Sequence, residues 1–284
     1  MKLKDRVAVV TGTSPNIGGG IAEGLAAEGA IVVAVDANAA NAQDCAAYLE
    51  KTGGRALGLA CDVTDEAKVK ATIDAALGAF GRIDVLVNNA VFYNKKGVID
   101  MTFEEWNRQT AVILGGAFLF TKYACQAMIA LKNGGSVINI ASTAGHQGEP
   151  SNIAYSTAKC GLLNFTRSAA MELVGHGIRV NSLTPTATDP SQSFERAARW
   201  GRTVKKPESI DRVMKPFRDG IPMGKLPLPT DYAQAAVFLA SDDASMITGT
   251  DLRVDAGAIA KYRPWVPGPG TAPGGERSSA TDDF

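Results

Sequence analysis

The sequence predicts an α/β protein built on a doubly wound parallel sheet of about seven strands with helices on both faces. Three observations predict it. Short apolar runs alternate with longer helical stretches along most of the chain. The runs lack strict apolar/polar alternation, as strands do when helices cover both faces. A glycine-rich turn joins the first run to the first helical stretch.

Taken in order, the predicted strands are Val7–Val10, Ile31–Val35, Ala56–Cys61, Val85–Val87, Val137–Ile140, Ile178–Leu183 and Leu252–Val254. Between them the pattern predicts helices over Ile17–Glu28, Ala39–Lys51, Asp65–Phe80, Phe103–Leu131, Ile153–Val174 and Tyr232–Ala240. Strand–helix alternation implies right-handed crossovers, and a sheet so wound binds ligands beyond the carboxyl ends of its strands. Residues 186–229 break the rhythm. They carry Phe194, Trp200 and Phe217 among many charges and read as a helical flap over the site, with a plain surface excursion as the alternative. The expected organisation is one domain over 1–263, followed by a Pro/Gly-rich tail over 264–284.

Composition narrows the function classes. Hydrophobic residues make up 45% of the 284 residues, enough for a sizeable core. Lys+Arg and Asp+Glu both number 29, so nothing supports a general attraction to nucleic acid or to an anionic membrane. The longest apolar run, Ala111 to Phe120, is short for a membrane span and holds two glycines. The start of the chain does not read as a signal peptide. Four scattered cysteines with no C-x-x-C pair read as reduced thiols in a cytoplasmic protein, and two distant histidines give no metal site.

The first strand runs into Thr11-Gly12-Thr13-Ser14-Pro15-Asn16-Ile17-Gly18. Such a turn lets backbone approach a pyrophosphate, with the N–H groups at the helix start, near Ile17 and Gly18, facing its charge. Asp36 closes the second strand, where a carboxylate can accept from both ribose hydroxyls of an adenosine and repels a 2′-phosphate. With no Arg or Lys among Thr13–Asn16, that favours NAD over NADP; a helix-capping Asp36 would leave the choice open. Asp62 and Val63 end the third strand, and Asp62 also reads as a cap signal for the helix beginning near Asp65.

Tyr155 and Lys159 stand four apart on a predicted helix, so phenol and ammonium can enter one pocket. A cation there would lower the phenol pKa toward working pH, and a phenol so tuned can exchange a proton with an alcohol. Ser142, just past the fifth strand, can orient the reacting oxygen from the sheet's carboxyl edge. His146 is a further acid/base candidate on the same loop.

In order and spacing these motifs resemble the short-chain dehydrogenases/reductases over roughly residues 5 to 257, including Asn88-Asn89-Ala90, Arg179-Val180-Asn181-Ser182 and Val254-Asp255-Ala256-Gly257. The resemblance implies a Rossmann-type fold, a catalytic Ser142–Tyr155–Lys159 set and hydride transfer between NAD and a secondary alcohol or ketone, taken as mainly apolar or cyclic. It implies cofactor contacts from Gly12, Asn16, Ile17, Gly18, Asp36, Asp62, Val63, Asn89, Tyr155, Lys159 and the backbone of Thr188. It also implies a homotetramer built through Phe103–Leu131 and Ile153–Val174. The pattern is broken at Asn16, at Val91, at Thr186 and at Ile113, which stands where the family carries a fourth catalytic residue, an asparagine. Those breaks keep open a non-catalytic nucleotide-binding subunit, and a lyase or epimerase on the same fold is a third reading.

Overall fold

The computed structural model describes residues 1–203 and 207–261. The predicted tail over 264–284 lies outside the described residues.

All seven predicted strands form, as β1 (Val7–Thr11), β2 (Ile31–Asp36), β3 (Ala56–Ala60), β4 (Val85–Asn88), β5 (Gly135–Ile140), β6 (Ile178–Pro185) and β7 (Asp251–Val254). They pair in parallel throughout, in the order β3-β2-β1-β4-β5-β6-β7. The order reverses between β1 and β4, which opens a crevice at their carboxyl ends.

Residues on β1 show why the strands look uniformly apolar. Ala8 and Val10 join a core on one face, while Val7 and Val9 join a second core on the other. The first core lies under α1 (Ile17–Ala27), α2 (Ala39–Lys51) and α9 (Pro229–Ala240). The second lies under α3 (Glu66–Phe80), α5 (Gly116–Leu131) and α6 (Ile153–Leu173). Period-2 side chains that are apolar on both faces leave no polar position to mark alternation.

The long predicted helix over 103–131 is three pieces: α4 (Phe103–Thr110), a π-helical segment (Ala111–Gly115) and α5. A capping box between Thr102 and Glu105 starts α4. The widened turn, in which Gly116 N–H donates to the Ala111 carbonyl, falls where Gly116 presses on Val63. A Cβ at Gly116 would lie 2.5 Å from Val63 Cγ2, so only glycine allows that approach. The whole stretch is apolar and long enough to cross a bilayer, yet nearly half of its most apolar window (44%) is buried inside the protein, as in a core helix. The predicted flap holds two helices, α7 (Ser191–Arg199) and α8 (Ile210–Asp219).

Candidate active site

The turn after β1 is built by two glycines with different needs. Gly12 has φ +70°, which favours glycine, and a Cβ there would sit 2.9 Å from Ala90 Cα. Gly18 touches the same turn: its Cβ would fall 2.0 Å from the Gly12 carbonyl oxygen. Asn16 is different. It stands where the family pattern has glycine, a residue suited to positive φ, but Asn16 has φ −98°. No left-handed conformation is required, and the side chain turns to the flap, where Oδ1 accepts from Ser193 Oγ at 3.1 Å. Ile17 is the first residue of α1, whose N-terminus carries no side-chain cap.

Asn89 needs a second correction. Its side-chain amide donates to the carbonyls of Thr11 at 3.0 Å and Gly12 at 2.8 Å, so it ties the turn to the end of β4 and does not reach toward a cofactor. Asn88 links the sheet to its helices, donating to Thr121 Oγ1 and Asn139 Oδ1.

A cavity of about 470 Å³ opens between these strand ends, with Gly12, Asp36, Asp62, Val63 and Ala90 in its wall. Both capping alternatives close. The cap of α2 is Asn38, which accepts from Ala40 N–H at 3.0 Å, and Asp36 instead accepts from Asn38 N–H at 2.9 Å. The cap of α3 is Asp65, while Asp62 accepts from the N–H and hydroxyl of Thr64. Burial raises the Asp36 carboxyl above its usual range. A backbone-lined turn, an uncapped helix N-terminus and a carboxylate at the end of β2 fit a dinucleotide. Sequence reasoning missed Arg108 in the same wall; its guanidinium stacks 4.9 Å from the ring centre of Phe92, which also lines the cavity. Only tertiary folding brings that face of α4 to the crevice.

A second cavity, about 450 Å³, adjoins the first catalytic candidates. Ser142 caps a short 3-10 turn (Thr143–Gly145) after β5, its hydroxyl accepting from Ala144 N–H at 3.2 Å and lying close enough to the phenol of Tyr155 to favour the phenolate. Both line this cavity, with Tyr93, Glu149 and Thr186. Tyr93 packs edge-on against Tyr155, ring centres 5.0 Å apart. From the flap, Phe217 and the nearby Ile221 close the far side.

Lys159 is 3% exposed, and its ammonium donates to the Ile140 carbonyl at 2.5 Å. It stands 5.7 Å from the Tyr155 ring centre. Burial lowers the Lys159 pKa to about 7. The phenol moves the opposite way from the expectation: burial raises Tyr155 to about 12, and Ser142 only opposes this. Nearby Tyr93 and Glu149 push it further up. Without a bound dinucleotide, therefore, desolvation of both groups outweighs any help the lysine gives the phenolate.

Three other candidates fall elsewhere. His146 Nε2 lies 3.2 Å from both Thr184 Oγ1 and Asp251 Oδ2, so it pins its loop to β6 and β7. Thr188 turns its hydroxyl to the Thr186 carbonyl and the Tyr232 hydroxyl, leaving only its backbone for a ligand. Ile113 is 2% exposed and packs with Ala158 and Leu162, the former adjoining Lys159. One turn earlier Gln109, fully buried, donates to the Phe92 carbonyl while its Oε1 has no protein partner.

Comparison with known proteins follows from this geometry. A family model described as "Enoyl-(Acyl carrier protein) reductase" matches residues 12–258. The D-threitol dehydrogenase of Mycolicibacterium smegmatis is 37% identical over 260 residues, covering 92% of this chain and 95% of its own. The galactitol 2-dehydrogenase of Agrobacterium fabrum is 36% identical over 261 residues, covering 90% and 98%. The cis-4-hydroxycyclohexanecarboxylate dehydrogenase of Sinomonas cyclohexanicum is 38% identical over 257 residues, covering 90% and 97%. Among solved structures, a short-chain type dehydrogenase/reductase from Mycobacterium marinum superposes with a TM-score of 0.80 at 29% identity, covering 92% and 97%. The chain belongs to the short-chain dehydrogenase/reductase family. It is an oxidoreductase of CH–OH groups that works with a nicotinamide cofactor.

Proposed function

We propose that the protein oxidises a small polyhydroxylated secondary alcohol to the ketone with NAD, using Tyr155 as the proton acceptor and Ser142 to hold the reacting oxygen. The observation that carries this reading is that those two hydroxyl-bearing residues stand together in the wall of one cavity at the carboxyl edge of the sheet. Gly12, Ile17 and Gly18 would hold the pyrophosphate through backbone, Asp36 the adenosine ribose, and Asp62 with Val63 the adenine. A bound nicotinamide supplies the hydride acceptor. Tyr155 Oη takes the proton from the substrate hydroxyl. Lys159, buried with its ammonium on Ile140, holds the polar floor beneath the phenol.

The substrate class follows from the lining. Tyr93, Gln147, Glu149 and Thr186 offer hydroxyl, amide and carboxylate groups among apolar neighbours such as Pro150, Phe217 and Ile221. Such polar handles suit a polyol, as the names of the threitol and galactitol enzymes do. NAD over NADP rests on Asp36. The Arg202 guanidinium, whose charge acts on Asp36, donates to Asp44 at 2.7 Å and Asn41 at 2.6 Å and so is committed elsewhere.

NADH absorbance over a panel of four- to six-carbon polyols tests the reading. Turnover is expected with NAD and at least about tenfold less with NADP, and Asp36→Ala should narrow that gap. Equal use of both dinucleotides by the wild type would remove the role given to Asp36. The non-catalytic alternative gains nothing from the structure, because Ile113 leaves the helix widened and Ser142 and Tyr155 in contact.

The same reading makes the protein a cytoplasmic homotetramer. Four unpaired cysteines suit a reducing compartment. Exposed Phe118 and Met171, on α5 and α6, suit a helical interface.

A further inference from the structure

The two flap helices face different ways: α8 lends Pro216 and Phe217 to the substrate cavity, while α7 packs against the dinucleotide turn. Arg196 on α7 is 1% exposed, a place where an arginine is rarely found without partners. Its Nε lies 3.0 Å from Glu23 Oε2 on α1, an ion pair and not an aligned hydrogen bond. Its Nη1 donates to the Pro15 carbonyl, in the middle of the dinucleotide turn, at 3.2 Å. Three residues away Ser193 donates to Asn16 of the same turn.

The run Gly18-Gly19-Gly20 makes room for this contact. A Cβ on Gly19 would come within 2.8 Å of the Trp200 ring and 3.0 Å of Arg196 Cδ. On Gly20 it would meet Pro229 Cβ at 2.8 Å and Arg196 Nη2 at 3.3 Å. The helix that follows the turn is therefore carved to receive an arginine and a tryptophan from the flap.

We infer that α7 clamps the dinucleotide turn from outside, and that Arg196 is a positioning residue for the cofactor. A pyrophosphate is held by N–H groups that must be aimed before it arrives, and a turn fixed at its Pro15 carbonyl and Asn16 side chain loses little freedom on binding. The clamp also explains how the turn keeps its shape with asparagine at a position the family gives to glycine. The inference rests on the dinucleotide reading of the turn.

A comparison of Arg196→Met with Arg199→Met tests it. Arg199 pairs with the same Glu23 oxygen at 2.9 Å but is 42% exposed and has no recorded contact with the turn. Each substitution leaves Glu23 one arginine, so loss of one pair to Glu23 is common to both, while only Arg196→Met also removes the contact with Pro15. Arg196→Met should raise the NADH dissociation constant, read by fluorescence, at least about tenfold, with kcat at saturating NAD within about twofold of wild type. Arg199→Met should stay within about twofold on both. Arg196→Lys should recover part of the affinity. In the cofactor-free protein, amide exchange over residues 13–17 should quicken in Arg196→Met and not in Arg199→Met. Should Arg196→Met fail to fold, Ser193→Ala carries the same expectation with a smaller effect. Wild-type affinity in Arg196→Met, or equal loss in both variants, overturns the clamp. A wild type that binds no NADH overturns the dinucleotide reading instead.

Discussion

Tyr155→Phe is expected to lower kcat/KM for alcohol oxidation by at least about a thousandfold while leaving NADH affinity nearly unchanged. The substitution removes one oxygen. The ring that packs edge-on against Tyr93 stays, so the cavity keeps its shape. What is lost is the acid/base hydroxyl that lines the cavity beside Ser142. His146 cannot replace it, because its ring is held by Thr184 and Asp251. The wild-type pH profile carries a related expectation. With the phenol raised to about 12, its ionised fraction grows throughout the neutral and alkaline range, so kcat/KM for oxidation should climb with pH. Steady-state kinetics on both proteins checks the result; a Phe variant within about tenfold of wild type removes Tyr155 from the chemistry.

Lys159→Met should be inactive and yet more stable than wild type in mild acid. The folded protein holds Lys159 at a pKa of about 7 where an ordinary lysine stands at 10.5. Between those values the unfolded chain binds a proton that the folded chain does not, so wild-type stability rises with pH across the window. Below about 7 the folded protein carries the full cost of a buried ammonium, on the order of several kcal/mol at about 1.4 kcal/mol per pKa unit. Methionine keeps the length and the packing. It gives up the hydrogen bond to the Ile140 carbonyl, a loss of about 1–3 kcal/mol. The variant should therefore melt several degrees higher than wild type at pH near 6, and the order should reverse near pH 10. Calorimetry at both pH values decides it; a variant less stable at both would mean that the ammonium is well compensated where it lies.

These two residues mark how far the sequence could be read. The strands were legible because their side chains are apolar on both faces, as at Val7–Val10, and the parallel pairing followed from strand–helix alternation. Tyr155, Lys159 and Ser142 were legible as neighbours because helical spacing and a strand end fix where they point. Their pKa shifts were not, because desolvation depends on what covers a group, and Tyr93 comes to the phenol from the distant loop after β4. The π-helical break at 111–115 was hidden for a similar reason: Gly116 is demanded by Val63 across the crevice. Asn16 and Asn89 were misread because a side chain near a site can serve the backbone around it. Arg196 gave no local signal, since its partners Glu23 and Pro15 lie far back in the chain.

Isotope transfer tests the central claim most directly. A polyol substrate carrying deuterium on its carbinol carbon, incubated with the protein and NAD, should yield ketone and dinucleotide in equal amounts with the label on the nicotinamide ring. Product formed while the dinucleotide stays unlabelled, or label appearing in water, would contradict hydride transfer at the Ser142–Tyr155 site.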